Sequence, residues 1–184
     1  LEDASIRWVL PLLNPCLHTA VMFRREAILS VGGYDEAYPS CQDFELWTRV
    51  AARFPMRNLA ERLVSYRMHG ESISTTRKES SQRLVRQVVE RELQRLGRRG
   101  EFSDDEVASL ARFRWGVEPG EVTSMRGVIE RLRADAKEEP ADFRRTLAWV
   151  YAQFGYGLLS RASLAGLREI LRATAIWPRY GLTL

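Results

Sequence analysis

The chain has 184 residues, of which 45% are hydrophobic and 28% are charged; this composition is typical of a globular protein and excludes a disordered one. The formal net charge of +4 suits an anionic small substrate, an acidic membrane surface or nucleic acid, and does not distinguish among them. Two cysteines and two histidines lack the spacing of a zinc site, and no apolar run reaches the ~18 residues of a membrane span.

The first 75 residues predict a mixture of helices and strands. The apolar run at 18–23 predicts a short buried strand, and residues 24–31 predict a short helix that Gly32-Gly33 would end. A second helix is predicted over 42–54, where Pro55 would close it. Two short extended runs follow within 56–68, and the polar segment 69–76 predicts a mobile loop.

The remaining residues, 76–184, predict only helices. A long amphipathic helix covers 77–97, and Ser103 with Glu106 forms the pattern of a capping box at the start of the next one. Three more helices are predicted within 124–139, 141–159 and 163–177. The predicted fold class is therefore α+β and mostly helical, with a boundary between residues 75 and 76.

Asp43, at the start of the 42–54 helix, has two interpretations. It could be a helix-start residue behind Ser40 as N-cap, where a carboxylate also suits the helix dipole. Helical periodicity, however, places Asp43 within the apolar stripe and places Glu45 on the opposite, solvent-facing side. A carboxylate held in a cleft can act as a proton acceptor, so the sequence leaves both roles open.

Two neighbouring stretches favour a functional role for Asp43. "VGGYDE" places a close-approach turn just before the helix, although Gly32-Gly33 also suit a plain helix C-cap. "SYRMHGESIS" places Arg67 and His69 beside the polar loop, where they suit a diphosphate, although His69 also suits a solvated loop position.

Residues 14–74, "NPCLHTAVMFRREAILSVGGYDEAYPSCQDFELWTRVAARFPMRNLAERLVSYRMHGESIS", resemble the C-terminal half of the catalytic domain of family 2 glycosyltransferases. The histidine, the Arg-Arg pair, "GGYDE", D-x-x-L-W-x-R and YR-x-H-x-x-S-x-S come in that family's order and spacing. The resemblance implies a GT-A fold and inverting transfer of a sugar from a nucleotide-sugar donor, usually with Mg²⁺ or Mn²⁺.

The resemblance also implies roles for individual residues. Asp43 matches the general base that deprotonates the acceptor hydroxyl, and His69 matches a metal ligand. Substrate-binding positions carried over in the same way are His18, Gly33, Tyr34, Gln42, Trp47, Arg67 and His69.

The sequence departs from the family pattern in two ways. Gln42 stands where the family usually has Glu, which removes a second negative charge beside Asp43. The family's first half, with its Asp-x-Asp, does not occur in this sequence. We therefore expect a fragment that holds the acceptor side, is inactive alone and binds no metal, whereas the full-length enzyme would use a divalent metal.

These observations predict residues 1–75 as the C-terminal half of a GT-A domain and 76–184 as a helical extension. The predicted function is transfer to a carbohydrate or glycolipid acceptor in bacterial surface polysaccharide or glycolipid synthesis, in the cytoplasm or peripherally at the inner face of the membrane. A non-catalytic helical module that contacts a protein or a membrane is the alternative, and self-association stays open. Nucleic acid is disfavoured because the basic residues are interleaved with acids.

Overall fold

The computed structural model describes residues 1–61, 63–65, 78–116, 118–134, 143–159 and 165–176. The chain divides into two compact units, Leu1–Glu101 and Phe102–Leu184. All regular structure in the described residues is helical, which confirms the prediction of a mostly helical chain.

In the part of the first unit that the structure describes, the α-helices are α1 (Asp3–Val9), α2 (Arg25–Ser30), α3 (Gln42–Ala51) and α4 (Lys78–Arg95). Short 3₁₀ turns lie at His18–Ala20 and Arg99–Glu101. Helix α3 packs against both α1 and α4. Helices α1, α3 and α4 supply the core of this unit. Its central side chains are Ile6, Val9, Phe44, Leu46, Trp47, Val85, Val88, Val89 and Leu93.

Both α2 and α4 end in the way that their glycines predict. After α4, the amide of Gly97 donates to the carbonyl of Gln94 at 2.9 Å and that of Arg98 donates to Leu93 at 2.8 Å. Gly97 has a φ of 72°, which residues other than glycine rarely adopt. This pair of bonds is a Schellman motif, which ends the helix and satisfies its last carbonyls.

The predicted strand at 18–23 is wrong. Residues 18–20 form a 3₁₀ turn, and 21–24 follow without regular structure. Met22 is 99% exposed and Phe23 46%, so the apolar run is not buried as a central strand would be. A strand needs a neighbouring strand to pair with, and the described part of the chain contains no strand.

The predicted boundary between residues 75 and 76 falls inside the first compact unit, because α4 packs on α3. Arg91 of α4 forms an ion pair with Glu45 of α3 at 2.7 Å, which fastens the two helices together. Helix α4 therefore belongs structurally with the first unit.

The second unit contains α5 (Asp104–Arg112), α6 (Val122–Ala134), α7 (Phe143–Leu159) and α8 (Ala165–Ile176), with 3₁₀ turns at Phe113–Trp115 and Pro119–Glu121. The predicted capping box is confirmed: the Ser103 hydroxyl accepts from the Glu106 amide, and the Glu106 carboxylate accepts from the Ser103 amide. Helices α7 and α8 share the most extensive contact. Among the described helices, none combines the length and apolar character needed to cross a bilayer.

Candidate functional site

Asp43 is the second residue of α3, and its side chain is half-buried. Its Oδ2 accepts a hydrogen bond from the Asn14 side-chain amide at 2.9 Å. The Asn14 side-chain oxygen in turn accepts from the backbone amide of Cys16 at 3.0 Å. Asp43 therefore lies against the segment that follows α1, an arrangement in which Asn14 orients the carboxylate.

Asp43 does not cap its own helix. The N-cap residue is Cys41, and no side chain makes a cap hydrogen bond there, so the prediction of Ser40 as N-cap is wrong. A carboxylate in the first turn still suits the helix dipole. Its hydrogen bond, however, is made to Asn14 and not to the backbone of α3.

Cys16 lies close enough to Asp43 for the carboxylate charge to affect the pKa of its thiol. Burial, and to a smaller extent the negative charge of Asp43, raise the pKa of the Cys16 thiol to about 11. Both effects disfavour the thiolate, so Cys16 is a neutral neighbour of the carboxylate at physiological pH.

Aromatic rings gather one helical turn after Asp43. The Trp47 ring lies 6.4 Å from the His18 ring and 6.1 Å from the Phe23 ring, centroid to centroid. His18 Nε2 lies 2.9 Å from the Tyr34 hydroxyl, within hydrogen-bond distance. The structure thus brings together three predicted substrate-binding residues, His18, Tyr34 and Trp47, beside the helix that carries Asp43.

The Gly32-Gly33 turn is both a helix C-cap and a contact point for α3. The amides of Gly32 and Gly33 donate to the carbonyls of Leu29 and Ile28, each at 3.0 Å, which closes α2 in a Schellman motif. Both glycines have positive φ, 89° and 69°. The Arg49 guanidinium of α3 donates to the carbonyl of Gly33 at 2.7 Å and also to that of Val31.

The predicted solvent-facing position of Glu45 is wrong. Glu45 is 0% exposed, because α4 covers the face of α3 that the helical pattern predicted to be solvent-exposed. Its carboxylate accepts from Arg49 Nε at 2.8 Å, from Arg49 Nη2 at 2.6 Å and from Arg91 Nη2 at 2.7 Å. The hydrogen bond with Glu45 raises the pKa of Arg49, which stabilises the charged form of the pair.

The other predicted site residues have different outcomes. Gln42 directly precedes Asp43 on α3 and is half-buried. Arg67, His69 and the 69–76 loop lie outside the described residues, so their predicted roles at a diphosphate and a metal stay predictions. Over the described ranges, no cluster of three or more His, Cys, Asp or Glu side chains could hold a metal ion.

The sequence assigned no site role to three further residues of this region, Asn14, Arg49 and Arg91, although Arg49 ends the D-x-x-L-W-x-R pattern. Asn14 and Arg49 lie within the family-like run, but residue type alone does not reveal their contacts with Asp43 and Glu45. Arg91 belongs to a different helix, 46 residues further along the chain than Glu45, and its contact is visible only in the folded structure.

Comparison with known proteins bears on the same region. A family model described as "Glycosyltransferase like family 2" matches residues 6–98, which is half of the chain and nearly the whole first unit. The O-antigen biosynthesis glycosyltransferase WbnJ of Escherichia coli is 36% identical over 71 residues, which cover 37% of this chain and 28% of that protein. The chain thus spans less than a third of the length of the curated relative it matches. No solved structure matches the chain.

Proposed function

Because the chain belongs to the glycosyltransferase-like family 2, we propose that its first unit forms the acceptor side of an enzyme that transfers a sugar from a nucleotide-sugar donor to an acceptor hydroxyl. Asp43 is the general base in this proposal. The observation that carries it is the position of Asp43, half-buried at the start of α3, with one oxygen held by Asn14.

The second oxygen of Asp43 is the proton acceptor. Oδ1 receives no hydrogen bond from any residue that the structure describes, whereas Oδ2 is occupied by the Asn14 amide. A general base must lie about 2.6–3.2 Å from the oxygen that it deprotonates, or reach it through one water. A carboxylate with one oxygen fixed presents the other in a constant direction, which suits this requirement.

In the transfer step, one proton moves to Asp43, one bond forms at the anomeric carbon and one bond to that carbon breaks. Asp43 Oδ1 takes the proton of the acceptor hydroxyl as the acceptor oxygen forms a bond to the anomeric carbon. The bond from that carbon to the donor's phosphate oxygen breaks, and its electron pair leaves with the nucleoside diphosphate. Attack opposite the leaving group inverts the anomeric centre, as the family resemblance implies.

Acceptor binding is assigned to the residues beside Asp43. His18 supplies an imidazole and Tyr34 a hydroxyl, and the buried Trp47 ring packs against His18 from within the core. Gln42 supplies an amide that can hydrogen-bond a sugar hydroxyl. The name of the Escherichia coli relative supports an acceptor in surface polysaccharide synthesis. The GT-A fold, the cytoplasmic location, peripheral membrane contact and self-association stay predictions.

The experiment compares Asp43→Asn with Asn14→Ala in the complete enzyme. Donors are UDP-, GDP- and dTDP-sugars, and acceptor probes are methyl glycosides of glucose, galactose and N-acetylglucosamine. Loss of a general base typically costs ~10²–10⁴ in rate, so Asp43→Asn should lower kcat by about that factor and leave donor binding unchanged.

Asn14→Ala is the control, because it removes the tether of Asp43 and keeps the carboxylate. We expect it to cost less in kcat than Asp43→Asn does. If Asp43 were only a structural tether, the two variants would lose equal amounts of stability and neither would lose turnover selectively.

A further inference from the structure

We propose that Arg49, held by the buried Glu45, is a positioning residue that sets Tyr34 and His18 in place for the acceptor. The inference rests on the proposed function and adds to it residues that act through Tyr34 and His18. It concerns the contacts that run from α3 through the Gly32-Gly33 turn and back to α3.

Glu45 fixes the orientation of the Arg49 guanidinium. An ionised carboxylate that is 0% exposed is costly unless it is paired, and here Arg49 makes a bidentate pair with it, with hydrogen bonds of 2.8 and 2.6 Å. Arg91 adds a third charged hydrogen bond to the same carboxylate. With Nε and Nη2 directed at Glu45, the rigid fork of Arg49 can point its remaining donors in one direction only.

Those donors reach the turn. Arg49 donates to the carbonyls of Val31 and Gly33, which flank Gly32. Positions 32 and 33 are glycines, so the turn has no side chain of its own there to hold its carbonyls. The guanidinium therefore ties the turn to α3 at two points.

Tyr34 transmits this position to the candidate site. It directly follows Gly33, and its hydroxyl lies 2.9 Å from His18 Nε2. The His18 ring packs edge-on against Trp47, which is one turn after Asp43 on α3. The series of contacts from Arg49 through Gly33, Tyr34 and His18 thus begins and ends on α3, and it places an imidazole and a hydroxyl at a set distance from the base.

The first test uses Arg49→Lys in the chain, with the imidazole ¹⁵N signals of His18 as readout. Lysine keeps a positive charge beside Glu45 but cannot reach two carbonyls and a carboxylate at once. We expect the His18 signals to move toward those of Tyr34→Phe, the variant that removes the hydroxyl partner. Arg49→Gln is the second variant, with the same expected shift, should the lysine variant not fold.

Arg95→Lys is the matched control. Arg95 of α4 is also paired with a buried glutamate, Glu92, at 2.6 Å, but it touches no part of the turn. A loss of stability alone would affect both arginine variants and leave the His18 signals unchanged. Unmoved His18 signals in the Arg49 variants, or equal movement in Arg95→Lys, would overturn the proposal.

The second arm measures transfer to the methyl glycosides by the complete enzyme. Arg49→Lys should raise the acceptor KM by about tenfold with a smaller change in kcat, because displaced binding groups weaken acceptor binding. The proposal would also be overturned if the His18 signals moved but the acceptor KM stayed unchanged. Full turnover of Asp43→Asn would instead refute the proposed function, whatever the His18 signals show.

Discussion

Glu45→Gln should destabilise the first unit far more than its place on a polar helix face would suggest. The substitution removes the charge that pairs with Arg49 and Arg91 and points an amide N–H₂ at guanidinium donors. Removing one partner of a buried ion pair costs about 3–5 kcal/mol. The two arginine side chains are 25% and 40% exposed, so water solvates them in part, and we expect a loss of about 2–3 kcal/mol.

Urea unfolding followed at the indole N–H resonance of Trp47 measures this loss in the first unit. Glu90→Gln is the control: Glu90 also forms an i,i+4 pair, with Arg86 at 2.9 Å, but both side chains are at least 35% exposed. An exposed pair of this kind is worth about 0–1 kcal/mol. A loss for Glu45→Gln as small as that for Glu90→Gln would refute the argument that the Glu45 pair holds α3 to the turn and to α4.

Three further predictions concern other parts of the chain. With a pKa of about 11 instead of 9.0, the Cys16 thiol should react with iodoacetamide at pH 8 roughly 100-fold more slowly than in the urea-unfolded chain; equal rates would contradict its burial. Gly155→Ala should destabilise the second unit by about 1–3 kcal/mol in urea unfolding, since its Cβ would lie 2.6 Å from a side chain of α8. Gly127→Ala, at an open helical site, should stabilise the second unit by up to about 1 kcal/mol. If both substitutions changed the stability in the same direction, the close approach of α7 and α8 would be refuted. Ser103→Ala should cost about 1 kcal/mol, measured as faster amide exchange in the first turn of α5, and an unchanged rate would contradict the capping box.

Local patterns in the sequence predicted most of the helices. Helices α2, α3 and α4 and the capping box at α5 follow from apolar spacing, glycine stops and capping residues, which act over a few neighbouring positions. Glu45 shows where this reasoning fails. A helical pattern identifies the apolar face of α3, but it does not reveal that α4 will bring Arg91 against the polar face.

The error at 18–23 has a related cause. An apolar run of this length suits a strand, yet strand formation depends on a partner elsewhere in the chain, and Met22 and Phe23 are exposed instead. The candidate site was predicted in part. His18, Tyr34 and Trp47 do meet near the start of α3, whereas the hydrogen bond from Asn14 to Asp43 depends on a loop conformation that residue types do not specify.

The pH dependence of kcat/KM in the complete enzyme tests most directly whether Asp43 takes the proton. Only the ionised carboxylate can accept a proton, so kcat/KM of the wild-type enzyme should decline toward acidic pH along a limb of about tenfold per pH unit. Asp43→Asn has no carboxylate at this position, so its much lower rate should show no such acidic limb. An acidic limb that persists unchanged in Asp43→Asn would contradict the assignment of Asp43 as the general base.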